Sequence, residues 1–165
     1  MKLINPSFEV IEQTPGIQGV KKQIERAGRT CYKSEDKITD TSCEEFVNRM
    51  INSGHGAMLE HGTVYLYIKY GSPLDNDNEY FKLVDIAIKY KKNKYSVVNT
   101  KVENIYWHHC WITTNYRVLV ENGWLDDLQY QCEPTEHHEK RITVKFICDR
   151  GVSHEFVRHN LLCVA

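Results

Sequence analysis

Alternating apolar and polar residues predict three β-strands in this chain. The clearest alternation covers residues 63–70, where Val64, Leu66 and Ile68 alternate with Tyr65, Tyr67 and Lys69. Residues 142–148 alternate in a similar way, and residues 2–12 carry apolar side chains among polar ones ahead of a Thr-Pro-Gly turn. Because a two-residue period places alternate side chains on opposite faces, each segment is predicted to be a strand.

Apolar residues spaced three and four apart predict helices between those strands. Residues 17–27 present three apolar side chains on one face. A second helix is predicted to begin at Ser42, because Ser42 and Glu45 have the spacing of a capping box, and Gly54 is well placed to end it. Further helices are predicted at residues 79–91, at 116–130 with a break at Gly123, and at 153–159.

These elements predict a fold of the α+β class. Strands and helices neither alternate strictly nor fall into separate blocks, which favours an antiparallel or mixed sheet with packed helices. The chain has 165 residues and 41% hydrophobic composition, enough for a single domain with its own core. The pattern does not fix the strand order.

Composition indicates which kinds of partner and which compartment to expect. The chain has 21 basic and 22 acidic residues, so it offers no broad positive field for a nucleic-acid polymer. No segment has the roughly 18 consecutive apolar residues of a membrane-spanning helix. Six cysteines lie far apart without a C-x-x-C pair, and the N-terminus lacks an apolar leader, so we expect a cytoplasmic protein with reduced thiols.

Residues 54–61 are the first candidate site, because two imidazoles and a carboxylate lie between a helix end and a strand. Loops at such junctions often carry binding groups. His55 can donate to a carbonyl or phosphate oxygen, and Glu60 could orient His61 or accept from a ligand amine. The alternative is a surface histidine at a helix end with no ligand.

Residues 153–159 are the second candidate site. On a helix, Glu155, Arg158 and His159 share a face. An arginine beside a histidine suits a phosphate or carbonyl oxygen, because the guanidinium donates two aligned hydrogen bonds. An intrahelical ion pair between Glu155 and Arg158 is the alternative.

Histidines and cysteines raise the question of a metal. His154 and His159 flank Glu155 but are five residues apart, which turns them roughly 140° from each other around a helix and excludes the zinc-protease motif. The groups that stay open as a metal-binding alternative are His108, His109 and Cys110, and Cys132 with His137 and His138. The chain has none of the common glycine-rich phosphate loops and no G-x-S-x-G elbow.

The two candidate sites together resemble the flavin-dependent thymidylate synthases. Residues 54–61 look like that family's histidine and F-E-H element, and residues 155–159, Glu-Phe-Val-Arg-His, resemble the opening of its R-H-R-x-x-S signature. Residues 26–32 are similar to its early arginine-containing helix end. The resemblance implies a single domain over 1–165, the N-terminal portion of that fold, with an inserted segment at about 71–140.

The resemblance assigns the first site to the cofactor FAD. His55 and Ala57 would lie against the flavin, with Glu60 and His61 supporting them. Ala57 has no hydroxyl, so a contact there would use its backbone.

The resemblance assigns the second site to both ligands. Arg158, His159 and Asn160 would bind FAD, and Glu155 with Arg158 would bind dUMP. Asn160 stands where the family has a second arginine. The family's catalytic arginines would follow the last residue of this sequence, so the chain alone is expected to have little or no synthase activity.

The implied reaction is the methylation of dUMP to dTMP. NADPH-reduced flavin would supply hydride, methylenetetrahydrofolate would supply the carbon, and no cysteine nucleophile is needed. The implied assembly is a homotetramer. Two alternatives stay open: a non-catalytic flavin- or nucleotide-binding remnant, and a Cys/His metal-binding protein unrelated to thymidylate synthesis.

Overall fold

The computed structural model describes residues 5–71, 78–103 and 107–157. Its strands are β1 Ser7–Ile11, β2 Thr63–Tyr70, β3 Val97–Val102, β4 His108–Asn115 and β5 Thr143–Ile147. Its α-helices are α1 Gly16–Cys31, α2 Ser42–Asn52, α3 Gly56–Leu59, α4 Asn78–Lys92, α5 Tyr116–Asn122 and α6 Arg150–Val157. Short 3-10 helices cover Glu35–Lys37 and Leu125–Tyr130. None of these helices is both long and apolar enough to span a membrane.

A three-stranded antiparallel sheet, in the order β2-β4-β3, carries the core. Leu66 of β2 and Val98 of β3 both lie opposite Ile112 of β4. On this face the sheet meets apolar side chains of α1, α2, α4 and α5, including the fully buried Tyr90 and Phe46. The predicted α+β class is confirmed.

A second sheet contains only β1 and β5, paired antiparallel from Ser7 opposite Ile147 to Ile11 opposite Thr143. The expected single sheet is therefore two small antiparallel sheets. The second sheet leaves much apolar surface exposed, including Phe8 at 71% and Val10 at 51%. Ile11 is its buried apolar residue.

The predicted capping box at Ser42 is wrong. Helix α2 begins at Ser42, with Thr41 in the N-cap position, and no side chain forms a capping hydrogen bond. The Ser42 hydroxyl instead accepts from the Thr39 amide at 2.8 Å and donates to a Glu25 carboxylate oxygen at 2.9 Å. The hydroxyl therefore ties α2 to α1 rather than capping its own helix.

The predicted helix ends at glycine are confirmed. Gly54 follows α2 with φ +71°, and Gly123 follows α5 with φ +69°, a region that favours glycine. At the other end of α5, Asn115 accepts from the Val118 amide at 3.0 Å and caps the helix. The predicted helix at 116–130 is thus broken at Gly123 and continues as a 3-10 helix.

Two other predicted boundaries shift. Helix α1 runs four residues past its predicted end, and α6 begins at Arg150 rather than at residue 153. Asp149 accepts from the Val152 amide at 3.1 Å, which fixes the earlier start of α6. Strands β3 and β4 were not predicted as elements. Residues 72–77, part of the segment expected to be an insertion at about 71–140, lie outside the described residues.

Candidate functional site

The first candidate site, residues 54–61, is a tight connection from α2 through α3 to β2. The His55 amide donates to the Met50 carbonyl at 2.9 Å as the chain leaves α2. At the far end Gly62 lies so close to α1 that an added Cβ would come within 2.7 Å of Ile24 and Val20 side-chain atoms. The Gly62 carbonyl also accepts from the Tyr116 amide at 2.8 Å. Both ends of the connection are therefore fixed by the core.

His55 is exposed and is held by the side chain of Tyr32, the residue that directly follows α1. Its Nδ1 lies 2.9 Å from the Tyr32 hydroxyl, and the two rings stack at a centroid distance of 6.4 Å. With Nδ1 engaged, Nε2 is the ring nitrogen left to meet a ligand. The contact joins residues 26–32 to residues 54–61, two segments that carried the resemblance separately.

Glu60 is held from α5. Arg117 Nη1 lies 2.5 Å from a Glu60 oxygen, and Arg117 Nε donates to Glu121 at 2.6 Å. The hydrogen bonds to Glu121 and Glu60 raise the pKa of Arg117 above its ordinary value. Glycine at position 56 leaves room for the Arg117 side chain, because an added Cβ would lie only 3.0 Å from Arg117 Nε. Sequence reasoning missed Arg117, and its position at the start of α5 carries no local signal of the pairing.

His61 turns its Nε2 into the protein. That atom is enclosed, and no described residue forms a hydrogen bond with it. Burial lowers the pKa of His61, and the nearby Glu60 charge offsets only part of that effect. The imidazole is therefore neutral at pH 7 and can donate or accept one hydrogen bond at Nε2. Ala57, between the two histidines, is exposed.

Two arginines lie near the C-terminal ends of α1 and α2. The guanidinium groups of Arg29 and Arg49 lie 4.9 and 5.3 Å from the centroid of the Phe46 ring. Arg29 pairs with the buried Glu25 at 3.2 Å, whereas Arg49 is exposed and directly precedes Met50. Arg49 is thus a cation beside the His55 connection that the sequence did not single out.

The second candidate site is described only in part. Glu155 is exposed on α6, and Phe156 of the same helix stacks on Phe146 of β5 at 4.8 Å. Arg158, His159 and Asn160 lie outside the described residues. Their assigned roles in binding stay predictions, as does the meeting of the two sites.

A path of direct contacts leads from α6 toward the first site. Strand β5 pairs with β1, and Glu9 of β1 forms an ion pair with Arg26 of α1 at 3.1 Å. Six positions further along the chain, Tyr32 contacts His55. Six residues of helix rise about 9 Å, so the β1–β5 sheet meets α1 near its His55 end.

The cysteine and histidine groups have structural roles where they are described. His138 Nδ1 accepts from the Thr135 amide at 3.1 Å, so Nε2 carries the hydrogen and donates to the Leu66 carbonyl at 3.1 Å. His138 therefore cannot act as a base toward Cys132, although Cys132 Sγ is 3.7 Å from Nε2. Burial also raises the pKa of the Cys132 thiol.

The other group is divided between the faces of β4. Cys110 points into the core, where burial raises the pKa of its thiol to about 12, and His109 lies on the opposite face. Over residues 5–71, 78–103 and 107–157, no three His, Cys, Asp or Glu side chains are arranged to hold a metal ion.

Comparison with known proteins finds two partial similarities. A flavin-dependent thymidylate synthase of Corynebacterium aurimucosum is 42% identical over 48 residues, which are 28% of this chain and 19% of that protein. One of Corynebacterium glutamicum is 30% identical over 61 residues, which are 36% of this chain and 24% of that protein. The matches thus span less than a quarter of the curated relatives. No family model and no solved structure matches the chain.

Proposed function

We propose that this chain carries the flavin-contacting part of a flavin-dependent thymidylate synthase, which methylates dUMP to dTMP. The observation that carries the proposal is the Tyr32 to His55 contact of 2.9 Å, because it brings together two family-like segments that are 23 positions apart. The partial similarity to two flavin-dependent thymidylate synthases supports the same assignment.

The surface of residues 54–61 fits a flavin. His55 offers Nε2 at the surface, and His61, whose Nε2 is enclosed, would support the connection from within the protein. Ala57 would contact the ring system through its backbone, and Glu60 is fixed by Arg117. Arg49 provides a positive charge for the pyrophosphate of FAD. When bound and reduced by NADPH, the flavin supplies the hydride.

Residues of the second site would complete the pocket in this proposal. Glu155 and Arg158 would hold dUMP, while Arg158, His159 and Asn160 would add contacts to FAD. Positive groups near the uracil ring would stabilise the charge that develops on it during transfer of the carbon from methylenetetrahydrofolate. The chain would work as a homotetramer in the cytoplasm, with subunits sharing sites.

The test is to purify the full chain with added FAD and measure both retained flavin and dTMP formed from dUMP, methylenetetrahydrofolate and NADPH. We expect flavin to be retained, with His55→Ala weakening flavin binding at least about ten-fold, the scale of one charge-assisted or well-oriented contact. His137→Ala, a histidine of another surface, is the matched control and should bind flavin normally.

Each outcome separates the candidate functions. Retained flavin with dTMP formation supports the synthase. Retained flavin without dTMP formation supports the non-catalytic binding protein instead. A chain that binds no flavin, or binds it equally well after His55→Ala, contradicts the proposed site.

A further inference from the structure

The outer face of the three-stranded sheet carries an aromatic pocket that the proposed flavin site does not use. It is lined by Lys101, Glu103, His109, Trp111 and His137, with a volume of about 200 Å³. His109 lies opposite Lys69, six residues along β2 from Thr63. At the rise of a strand, this places the pocket about 20 Å from the end of the first candidate site.

The pocket arises because the chain after the Leu125–Tyr130 helix crosses only half of this face. His138 packs edge-on against Tyr65 at 5.3 Å, and the His137 ring lies 4.3 Å from that of Trp111. Asn99 of β3 donates to the His137 carbonyl at 2.8 Å and fixes the crossing. His109 is the next residue of β4 on this face beyond Trp111. The crossing segment does not cover it, and it forms the wall of the pocket.

A hydrogen-bond chain orients the wall. His109 Nε2 lies 2.9 Å from a Glu103 carboxylate oxygen, which can only accept, so Nε2 carries the hydrogen. On the other side of the ring, Nδ1 lies 2.7 Å from the Tyr67 hydroxyl. The His109 ring is thereby held at 13° to the indole of Trp111, with centroids 5.6 Å apart. Planar groups fixed in this way form a platform on which another ring can stack.

The two charged side chains that line the pocket differ in whether they are paired. Glu103 is engaged by His109 and by Lys69, whose Nζ is 3.5 Å away, and these contacts lower the pKa of Glu103. Lys101, opposite His109 on β3, pairs with no described residue. The pocket therefore offers one uncompensated cation and one carboxylate that still has acceptor capacity.

These features define the chemistry of a ligand. A cavity of about 150 Å³ is enough for benzene, so this pocket holds one ring system and is smaller than the roughly 300 Å³ at which pockets for larger ligands begin. The platform requires a planar ring, Lys101 favours an acidic group, and Glu103 favours adjacent N–H donors on the ring edge. Guanine presents such donors, whereas adenine presents an amino group beside an acceptor.

We propose that this pocket binds a purine nucleoside monophosphate, with the base stacked on the platform of His109 and Trp111 and in contact with the His137 ring, its N–H edge toward Glu103 and its phosphate toward Lys101. The site is separate from the flavin site and does not depend on it.

Calorimetric titration of the full chain with GMP tests the proposal, with tryptophan emission recorded in parallel. We expect saturable binding that quenches emission, and loss of that quenching in Trp111→Phe. His137→Ala should weaken binding about ten-fold, the scale of a lost stacking contact. Lys101→Met should weaken it about five-fold and reduce its dependence on salt. AMP should bind more weakly than GMP, and ribose 5-phosphate should not bind.

The matched control is His55→Ala, which should bind GMP as the unaltered chain does even if it loses flavin. Absence of binding at millimolar GMP would overturn the proposal. So would equal GMP affinity in His137→Ala, equal binding of ribose 5-phosphate, or an oligonucleotide that binds far more tightly than GMP, since that would indicate a surface for a polymer.

Discussion

The two segments that resemble the synthase family rest on very different supports. Residues 54–61 lie between α2 and β2, where Tyr32 at the end of α1 holds His55 and Arg117 of α5 holds Glu60. Helix α6, which bears Glu155, rests through Phe156 on a two-stranded sheet whose Phe146 is 47% exposed. One site element is therefore fixed by the core, and the other is attached to a small, open layer.

The difference shows which half of the proposed site this chain organises by itself. A two-stranded sheet is marginal alone, whereas elements packed on a full core are positioned at little further cost. We therefore expect the His55 side to be in place before any ligand binds.

The largest expected contrast is between two phenylalanines. Phe46 is 1% exposed beneath the α1 and α2 ends, and Phe146 is 47% exposed under α6. Phe46→Ala should lower the free energy of unfolding by about 3 to 5 kcal/mol, because it empties a packed site. Phe146→Ala should cost less than about 1.5 kcal/mol, because much of that ring already contacts water. Denaturant unfolding measures both, and equal losses would contradict the contrast between the two supports.

A smaller contrast is expected between two helical glycines. An added Cβ at Gly28 would lie 2.4 Å from the ring of Phe46, whereas at Gly151 it would lie 3.1 Å from a carboxylate oxygen of exposed Asp149. Gly28→Ala should therefore destabilise the protein by about 1 to 3 kcal/mol through overpacking. Gly151→Ala should change stability by less than about 1 kcal/mol, because the Asp149 side chain can move. Thermal unfolding of both variants checks this, and a greater loss for Gly151→Ala would reverse the comparison.

The smallest expected effect is a dependence of stability on pH that comes from two imidazoles, His61 in the first support and His138 on the outer face of the three-stranded sheet. Burial lowers the pKa of both His61 and His138 from 6.5. The unfolded chain therefore binds protons at a higher pH than the folded chain does. This contribution to stability is present above pH 6.5 and is lost as the pH falls through the folded pKa values.

Unfolding measured at a series of pH values tests this prediction. The free energy of unfolding should fall below pH 6.5, and His61→Gln should make the fall shallower. His154→Gln, a change of an exposed histidine on α6, is the control. Stability that stays constant or rises with acidification would show that the two buried imidazoles are not held neutral.

The sequence predicted those parts of the fold whose signal is local. Strand β2 has the predicted bounds, because its aliphatic residues alternate, and α2 ends at Gly54 as expected. Strand β4 was missed because Cys110 to Asn115 are buried on both faces and show no alternation. The capping box failed because Ser42 found partners in Thr39 and Glu25 instead.

The candidate site likewise contains residues that the sequence singled out and partners that it did not. His55 and Glu60 could be singled out from their own segment, but their partners Tyr32 and Arg117 are 23 and 57 positions away. Such contacts depend on how helices pack, which periodicity does not specify. The aromatic pocket likewise needs the register of β4 with β2 and β3, which places His109 between Lys69 and Lys101.

A titration of the isotope-labelled chain with FAD, followed by backbone amide and imidazole NMR signals, would test the flavin site most directly. We predict that FAD shifts the signals of His55, Gly56, Ala57 and His61. If FAD leaves the signals of residues 54–61 in place, or shifts only signals elsewhere, this connection is not a flavin site.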